Sequence, residues 1–194
     1  MILSKQDLRY YIAQDQKSLR LKKRKFDWLL NLIIPKRIPS FQRTLRIAEY
    51  YNNKANKNKL YKLPALYYKL LHRKKSLKLG FTIPLNVFGP GLSIAHYGTI
   101  VVNPASRIGA NCRIHVCVNI GASNGSSKAP IIGDNVYIAP GCKIFGDIEI
   151  ASNVVISANS VVNRSFKKSN VLVGGVPAKV LKEYDELDFS WKKS

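Results

Sequence analysis

Two histidines occupy positions where a side chain could transfer a proton. An imidazole has an ordinary pKa near 6.5, so at neutral pH it can take a proton from a hydroxyl and return it to a leaving group. Such a base raises a reaction rate by about 10²–10⁴. His96 begins the run His96-Tyr-Gly-Thr-Ile-Val-Val, and His115 directly follows Ile114. The third histidine, His72, lies in a strongly basic stretch, where we expect a solvated surface residue.

The elements that would position these histidines follow from a six-residue apolar repeat. Neither the 3.6-residue period of a helix nor the two-residue period of an ordinary strand produces such spacing. A hexapeptide repeat instead predicts a parallel β-helix, in which each hexapeptide forms one side of a prism and stacked coils bury a continuous column. The repeated positions are Val102, Ile108, Ile114, Ile120, Ile132, Ile138, Ile144, Ile150, Ile156 and Val162.

A second slot, four residues after each repeated position, holds small or apolar residues. Two of its members are Cys112 and Cys142, which we expect to be reduced core residues. The segment Ala122–Pro130 is rich in Ser, Gly, Asn and Lys and should leave the prism as a loop. The slot comprises Ser106, Cys112, Val118, Val136, Cys142, Ile148, Val154 and Ser160.

The position of His115 in the repeat leaves two interpretations open. Neighbouring hexapeptides carry Gly109, Gly121, Gly133 and Ala139 at the same place, so the side chain should project outward. It would then bind a substrate or share in proton transfer, or else be an exposed residue at a subunit contact. For His96 the alternative to catalysis is that the ring fills a core slot at the end of the prism.

The first 80 residues have a different composition from the rest. They hold 21 Lys/Arg against four Asp/Glu, whereas residues 81–194 hold 11 against seven. Helices are predicted within residues 4–34, with a capping box at Ser4 and Asp7, then over Ser40–Tyr51, and over Leu60–Leu79 after a break at Pro64. We expect a basic helical domain at 1–80, a β-helix at 81–182 and a tail at 183–194, with a short helix or a segment packed on the prism from Leu181 onward.

A cytoplasmic location is expected. The N-terminus has no apolar core of the kind that a secretory signal needs. The most apolar early run, Trp28–Ile34, is far shorter than the roughly 20 residues of a membrane span.

The repeats and the segments on either side of them resemble a known family. The segments GLSIAHYGTIVVN (91–103) and GGVPAKV (174–180), with the repeats between them, are similar to hexapeptide-repeat acyltransferases of the serine acetyltransferase branch, which includes capsule and polysaccharide relatives. The resemblance implies a mainly β fold, a left-handed parallel β-helix behind a basic α-helical N-terminal segment. It further implies a homotrimer, acetyl-CoA as co-substrate in the groove between neighbouring prisms, and no metal.

The resemblance also implies roles for individual residues. His96 matches the family's catalytic histidine and would be the general base. The acceptor would be bound by His115, Asn119 and Lys128. Acetyl-CoA would lie against Ala139, Ser157 and Ala158, with Lys179 and Lys182 near its phosphates.

Departures from the serine acetyltransferase pattern favour another acceptor. Those enzymes carry an acidic residue before the catalytic histidine, where this chain has Ala95. Their mobile loop ends in Arg-His-Pro, where this chain has Lys128-Ala129-Pro130, without the bidentate fork of an arginine. We therefore expect a sugar hydroxyl as acceptor, in surface polysaccharide biosynthesis. The alternatives are a serine O-acetyltransferase and a β-helix scaffold without catalysis. The partner that orients His96 is unassigned, and Asn86, Asn103 and Asn119 are weak candidates.

The basic N-terminal segment is compatible with several partners. A solvated helix face combined with trimer packing is favoured. Docking on an anionic membrane surface, which would make the protein peripheral at the inner face of the membrane, or on a glycan comes second. Nucleic acid is the least favoured partner.

Overall fold

The structure, a computed structural model, describes residues 1–20 and 36–185. Helices occupy its N-terminal part, and from Phe81 onward the chain winds as a left-handed parallel β-helix. The fold class predicted from the repeat and the family resemblance is therefore confirmed.

Three sheets form the sides of the prism, and successive strands of the chain move from one sheet to the next. The five-stranded sheet contains β1 (Phe81–Thr82), β3 (Ile100–Val102), β6 (Val118–Gly121), β9 (Lys143–Phe145) and β12 (Val161–Val162). The three-stranded sheet contains β4 (Arg107–Ile108), β7 (Ile131–Ile132) and β10 (Glu149–Ile150). The six-stranded sheet contains β2 (Ser93–Ile94), β5 (Arg113–Ile114), β8 (Tyr137–Ile138), β11 (Val154–Ile156), β13 (Val171–Gly175) and β14 (Ala178–Glu183).

The repeated apolar residues stack on one another as the period predicts. Ile114 lies opposite Ile138 in the six-stranded sheet, and Ile120 lies opposite Ile144 in the five-stranded sheet. All four are fully buried, so the hydrophobic effect acts along a continuous column. The predicted core cysteines are confirmed, and burial raises the pKa of the Cys112 thiol to about 12.

The corner before the six-stranded sheet is built by a ladder of asparagines. Asn111, Asn135 and Asn153 have φ angles of 56°, 57° and 59°. Asparagine adopts this left-handed conformation more readily than other residues with a Cβ. The Asn111 amide donates to Asn135 at 3.0 Å, and the Asn135 amide donates to Asn153 at 2.9 Å. The ladder locks successive coils in register.

The last coil ends in a hairpin rather than in the predicted short helix or side-packed segment. β14 turns back and pairs antiparallel with β13, with Lys179 opposite Gly174 and Lys182 opposite Leu172. The pairing extends the six-stranded sheet by one strand and covers its end. Residues 186–194 lie outside the described part.

The helices of the N-terminal part are α1 (Lys5–Ser18), α2 (Arg37–Ala55) and α3 (Lys62–Leu79), with a 3₁₀ turn at Lys59–Tyr61. The capping box at Ser4 and Asp7 is confirmed. The break predicted at Pro64 is wrong: Pro64 lies in the first turn of α3, where a backbone N–H has no intrahelical partner and proline costs little. In the described ranges, no helix is long and apolar enough to cross a bilayer.

His72 is not the solvated residue that we expected. Its ring packs on Phe41 of α2, with ring centroids 5.3 Å apart. Burial lowers the pKa of His72 to about 4, so the ring is neutral at pH 7. The basic run from Arg20 to Lys25 and the apolar run Trp28–Ile34 lie almost entirely outside the described residues.

A buried ionic cluster joins the helices to the start of the β-helix. The guanidinium of Arg46 in α2 donates to Asp15 of α1 at 2.8 Å and to Glu49 at 3.0 Å. It also donates to the backbone oxygens of Phe88 and Gly89, at 2.9 and 2.7 Å. This cluster could not be predicted from the sequence, because its charges are separated along a chain whose basic residues are mostly exposed.

The carboxylates of this cluster hold the backbone just before β2. Asp15 accepts hydrogen bonds from the N–H groups of Gly91 and Leu92, both at 2.9 Å. Glu49 accepts one from the N–H of Asn86 at 2.8 Å, and burial raises the pKa of Glu49 despite the adjacent arginine. The helices thereby fix the first coil, which carries His96.

Candidate functional site

One edge of the six-stranded sheet brings most of the predicted site residues into line. The residues that follow each inward Ile or Val of this sheet are Ala95, His115, Ala139, Ser157 and Gly174, which we call the corner column. Their N–H groups continue the coil-to-coil ladder: His115 donates to Ile138 at 3.2 Å and Ala139 donates to Ile156 at 3.1 Å. Because the ladder occupies these N–H groups, they are not available to stabilise an oxyanion.

His96 and His115 lie next to each other at the upper end of this column. His96 is exposed in the bend after β2, so it does not fill a core slot. Its ring centroid lies 5.7 Å from that of His115, which in turn lies 5.1 Å from the ring of Tyr137. His115 is only 8 % exposed, so the interpretation of an exposed contact residue is wrong.

The two imidazoles differ in electrostatic environment. Burial, with contributions from Arg113 and His96, lowers the pKa of His115 to about 4. His115 is therefore neutral at pH 7 and accepts a proton weakly. Its Nε2 atom is buried, and no group in residues 1–20 or 36–185 hydrogen-bonds to it. His96, which faces solvent, is the better placed of the two to take a proton from an incoming substrate.

Below the histidines the edge becomes a flat track of small residues. Ala139 and Ser157 belong to the corner column, and Ala158 lies exposed beside it. A Cβ on Gly174 would lie 2.9 Å from the Cβ of Ser157 and 2.7 Å from the Leu181 side chain, so glycine is required there. The absence of large side chains along these positions allows an extended molecule to lie against the backbone.

The two predicted phosphate-binding lysines lie differently with respect to this track. Lys179 pairs with Gly174, at the foot of the corner column. Lys182 pairs with Leu172, farther across the sheet, and its ammonium lies 4.9 Å from the Tyr184 ring centroid. With neighbouring strands about 4.8 Å apart, the five steps from β2 to β14 place Lys179 roughly 24 Å from the level of His96.

Asn119 and Lys128 are not brought to the histidines within one chain. Asn119 is exposed on β6, in the adjacent five-stranded sheet. Lys128 lies in the loop between β6 and β7, at the far edge of that sheet, where its ammonium donates to Asp147 at 2.7 Å. Sequence reasoning missed Asp147 and therefore missed this pair of opposite charges, which is largely exposed.

The other candidates are engaged elsewhere or isolated. The Asn86 amide donates to Asn53 at 2.9 Å, and the Asn103 side chain accepts from the N–H of Ala105 at 2.8 Å, so neither orients His96.

In the part of the chain that the structure describes, no three His, Cys, Asp or Glu side chains are grouped to hold a metal ion.

A separate cavity of about 450 Å³ lies between the start of α1 and the three-stranded sheet. Glu49, Arg107 and Asp134 are among its lining residues, and neither His96 nor His115 contributes to it. The candidate site is therefore the edge with the histidines rather than this cavity.

Comparison with known proteins agrees with the geometry. Residues 129–164 match the family described as bacterial transferase hexapeptide (six repeats). The chain is similar to a serine acetyltransferase of Staphylococcus aureus strain Mu50, with 39 % identity over 97 residues. It is also similar to one of Staphylococcus epidermidis strain RP62A, with 42 % identity over 98 residues. Each match covers 49 % of this chain and 45 % of the relative, so the chain spans about half the length of these relatives.

A solved structure extends the similarity beyond the repeats. The crystal structure of Neisseria gonorrhoeae serine acetyltransferase in complex with serine superposes with a TM-score of 0.66 and 26 % identity. The superposition covers 92 % of this chain and 71 % of that one, so it includes helices as well as the prism.

The expectation of a sugar acceptor in polysaccharide biosynthesis is wrong. The matched relatives are serine acetyltransferases, which favours the alternative that we set second. The sugar was preferred because paired charges for an amino acid were not evident in the sequence. The structure brings two opposite charges together, since Lys128 forms an exposed ion pair with Asp147. The hexapeptide repeats and the prism that they build are features that this chain shares with hexapeptide-repeat acyltransferases.

Proposed function

We propose that this chain is an acetyl-CoA-dependent serine O-acetyltransferase, with residues 81–182 as its catalytic domain and His96 as general base. The observation that supports the proposal best is the exposed His96 at the head of a flat track that ends at Lys179, in a chain about 40 % identical to serine acetyltransferases over its repeats. A cytoplasmic location is part of this proposal.

In the proposed reaction, His96 takes the proton of the serine hydroxyl as its oxygen attacks the thioester carbonyl carbon. The carbon–sulfur bond then breaks, and the imidazolium returns the proton to the leaving thiolate. His115, neutral and with an unpartnered Nε2, would hydrogen-bond to a substrate rather than act as the base.

Acetyl-CoA would lie along the corner column with its thioester at His96 and its phosphates at Lys179. Ala139, Ser157 and Ala158 let the pantetheine arm approach the backbone. The distance of roughly 24 Å from His96 to Lys179 suits an extended arm that carries its polyanionic end at the foot of the prism.

The two C-terminal lysines provide a matched test of this placement. We expect Lys179→Ala to raise the KM for acetyl-CoA about tenfold, because a charge-assisted hydrogen bond to phosphate is lost. Lys182→Ala, on the same strand but turned to Tyr184, should change this KM by less than about threefold. Steady-state kinetics at fixed serine would measure both values, and equal effects of the two substitutions would contradict the placement.

Serine would be held by the Lys128–Asp147 pair, with the ammonium of Lys128 on the serine carboxylate and the carboxylate of Asp147 on the serine ammonium. Since this pair and His96 lie at opposite edges of the five-stranded sheet, the site would be completed between neighbouring prisms of a homotrimer. Asn119, exposed on that sheet, would face the same groove.

Serine-dependent release of CoA tests the proposed function. The wild-type protein should release CoA from acetyl-CoA when L-serine is added, and Lys128→Ala should raise the KM for serine about tenfold. Lys168→Ala is the control, because Lys168 forms an equally exposed ion pair with Glu183 at 2.5 Å, away from the loop. An unchanged KM for serine in Lys128→Ala would refute the acceptor site, and no release with serine would refute the function.

A further inference from the structure

We propose that α3 docks this protein on an anionic lipid surface through an apolar face that points away from the body of the molecule. We call this face the outer stripe. Its residues are between 55 and 79 % exposed. The outer stripe consists of Leu63, Leu66, Tyr67, Leu70 and Leu77.

The outer stripe lies opposite the face that α3 buries. Helical spacing of 3.6 residues places Ala65, His72, Ser76 and Leu79 on the covered face, which packs on α2 and the first coil. The outer stripe recurs at the same spacing about half a turn away. The helix therefore has two apolar faces, and the described residues cover only one of them. Contiguous exposed apolar surface of this kind marks an interaction site.

Cations border the outer stripe on both sides. By the same spacing, Lys62, Lys69 and Arg73 lie along one border, and Lys74 and Lys78 lie along the other. α3 contains no Asp or Glu. An apolar stripe between two rows of lysine and arginine is the pattern of a helix that lies in the plane of a membrane interface.

The positions of the cations favour one of three possible partners for the outer stripe: a second copy of α3, a nucleic acid or an anionic bilayer. Two copies of α3 packed stripe to stripe would bring their borders of cations together, and like charges at close range are unfavourable. A nucleic acid would satisfy the cations, but its phosphates would leave four exposed leucine side chains uncovered. An anionic bilayer satisfies both, because acyl chains cover the apolar residues while headgroups meet the cations.

A basic cavity beside the stripe provides a second observation. It has a volume of about 540 Å³, and its lining includes Arg37, Lys74, Lys75 and Lys78 together with Ser40. Lys75 is held there by hydrogen bonds to the hydroxyls of Ser40 and Thr44, at 2.8 and 2.7 Å. The start of α2, which has no side-chain cap, lies at the same cavity and adds the positive end of the helix dipole. The chemistry of the cavity fits the phosphate of a lipid headgroup.

Co-sedimentation with vesicles tests the proposal on the full chain. We expect binding to vesicles of phosphatidylcholine with an equal share of phosphatidylglycerol, weak binding to phosphatidylcholine alone, and loss of binding as salt is raised. The double variant Leu63→Ser/Leu70→Ser should weaken binding about tenfold or more, because both side chains insert into the interface. Lys74→Gln/Lys78→Gln should weaken binding to the anionic vesicles alone.

Matched controls keep the result interpretable. The substituted leucines are exposed, so unfolding transitions should be unchanged. Lys57→Gln/Lys167→Gln removes two exposed charges elsewhere and should alter binding by less than about twofold. Vesicle binding that is unaffected in Leu63→Ser/Leu70→Ser would overturn the proposal. The proposal would also be overturned if the wild-type protein did not bind vesicles and the Leu63→Ser/Leu70→Ser variant formed smaller oligomers than wild type in sedimentation velocity. The outer stripe would then be a contact between copies of the chain. Binding is measured without substrates, so its outcome is independent of the proposed acetyl transfer.

Discussion

Replacing His96 with alanine is expected to lower the rate of acetyl transfer by about 10²–10⁴, because the attacking hydroxyl would lose its proposed general base. The effect should fall on kcat, while the KM for acetyl-CoA should change little, since in the proposed mode of binding acetyl-CoA is held by the corner column and Lys179. CoA release with serine, followed under steady-state conditions, measures both constants.

The His96→Ala substitution should affect catalysis without affecting the stability of the fold. His96 is exposed and its ring lies beside that of His115, so the unfolding transition should not move. His115 cannot replace the missing base efficiently, because its pKa of about 4 makes it a weak proton acceptor at neutral pH. Retention of most of the wild-type rate in His96→Ala would show that the base has been misassigned.

Replacing Arg46 with methionine is expected to destabilise the protein by about 3–5 kcal/mol, because Asp15 and Glu49 would remain buried without their cation. The side chain of Arg46 is fully buried, so solvent cannot compensate. The substitution would also disturb the candidate site at His96, because Asp15 accepts hydrogen bonds from the N–H groups of Gly91 and Leu92 just before β2. Denaturant unfolding and CoA release should therefore both be impaired.

A neighbouring arginine offers the control for this prediction. Arg43 lies on the same helix but is exposed, so Arg43→Met should change stability by no more than about 0.5 kcal/mol. If Arg46→Met were as stable as Arg43→Met, the cluster would not be what joins the helices to the prism.

The repeat made the β-helix predictable, because each inward position is set by a local period and stacks on an equivalent one. Ile114 and Ile138 meet as the spacing requires. The proximity of His96 and His115 could also have been found, since they are 19 residues apart, close to one coil of three hexapeptides. Lys128 and Asp147 have the same separation and were missed because Lys128 lies in an inserted loop.

The buried ionic cluster and the exposed face of α3 could not be predicted, because they depend on contacts between residues that are distant in the sequence. Arg46 and Asp15 are 31 residues apart on different helices, and nothing in their spacing distinguishes them from solvated charges. Likewise, the sequence does not show that Leu63 and Leu70 are exposed, because only the packing of α2 decides which apolar face of that helix is covered.

The decisive experiment is a crystal structure with bound CoA, because it would locate the co-substrate on the prism. We expect the thiol sulfur in contact with the His96 imidazole, the pantetheine arm along Ala139 and Ser157, and the phosphates at Lys179. CoA bound instead in the cavity lined by Glu49 and Asp134, or with its thiol remote from His96, would contradict this expectation.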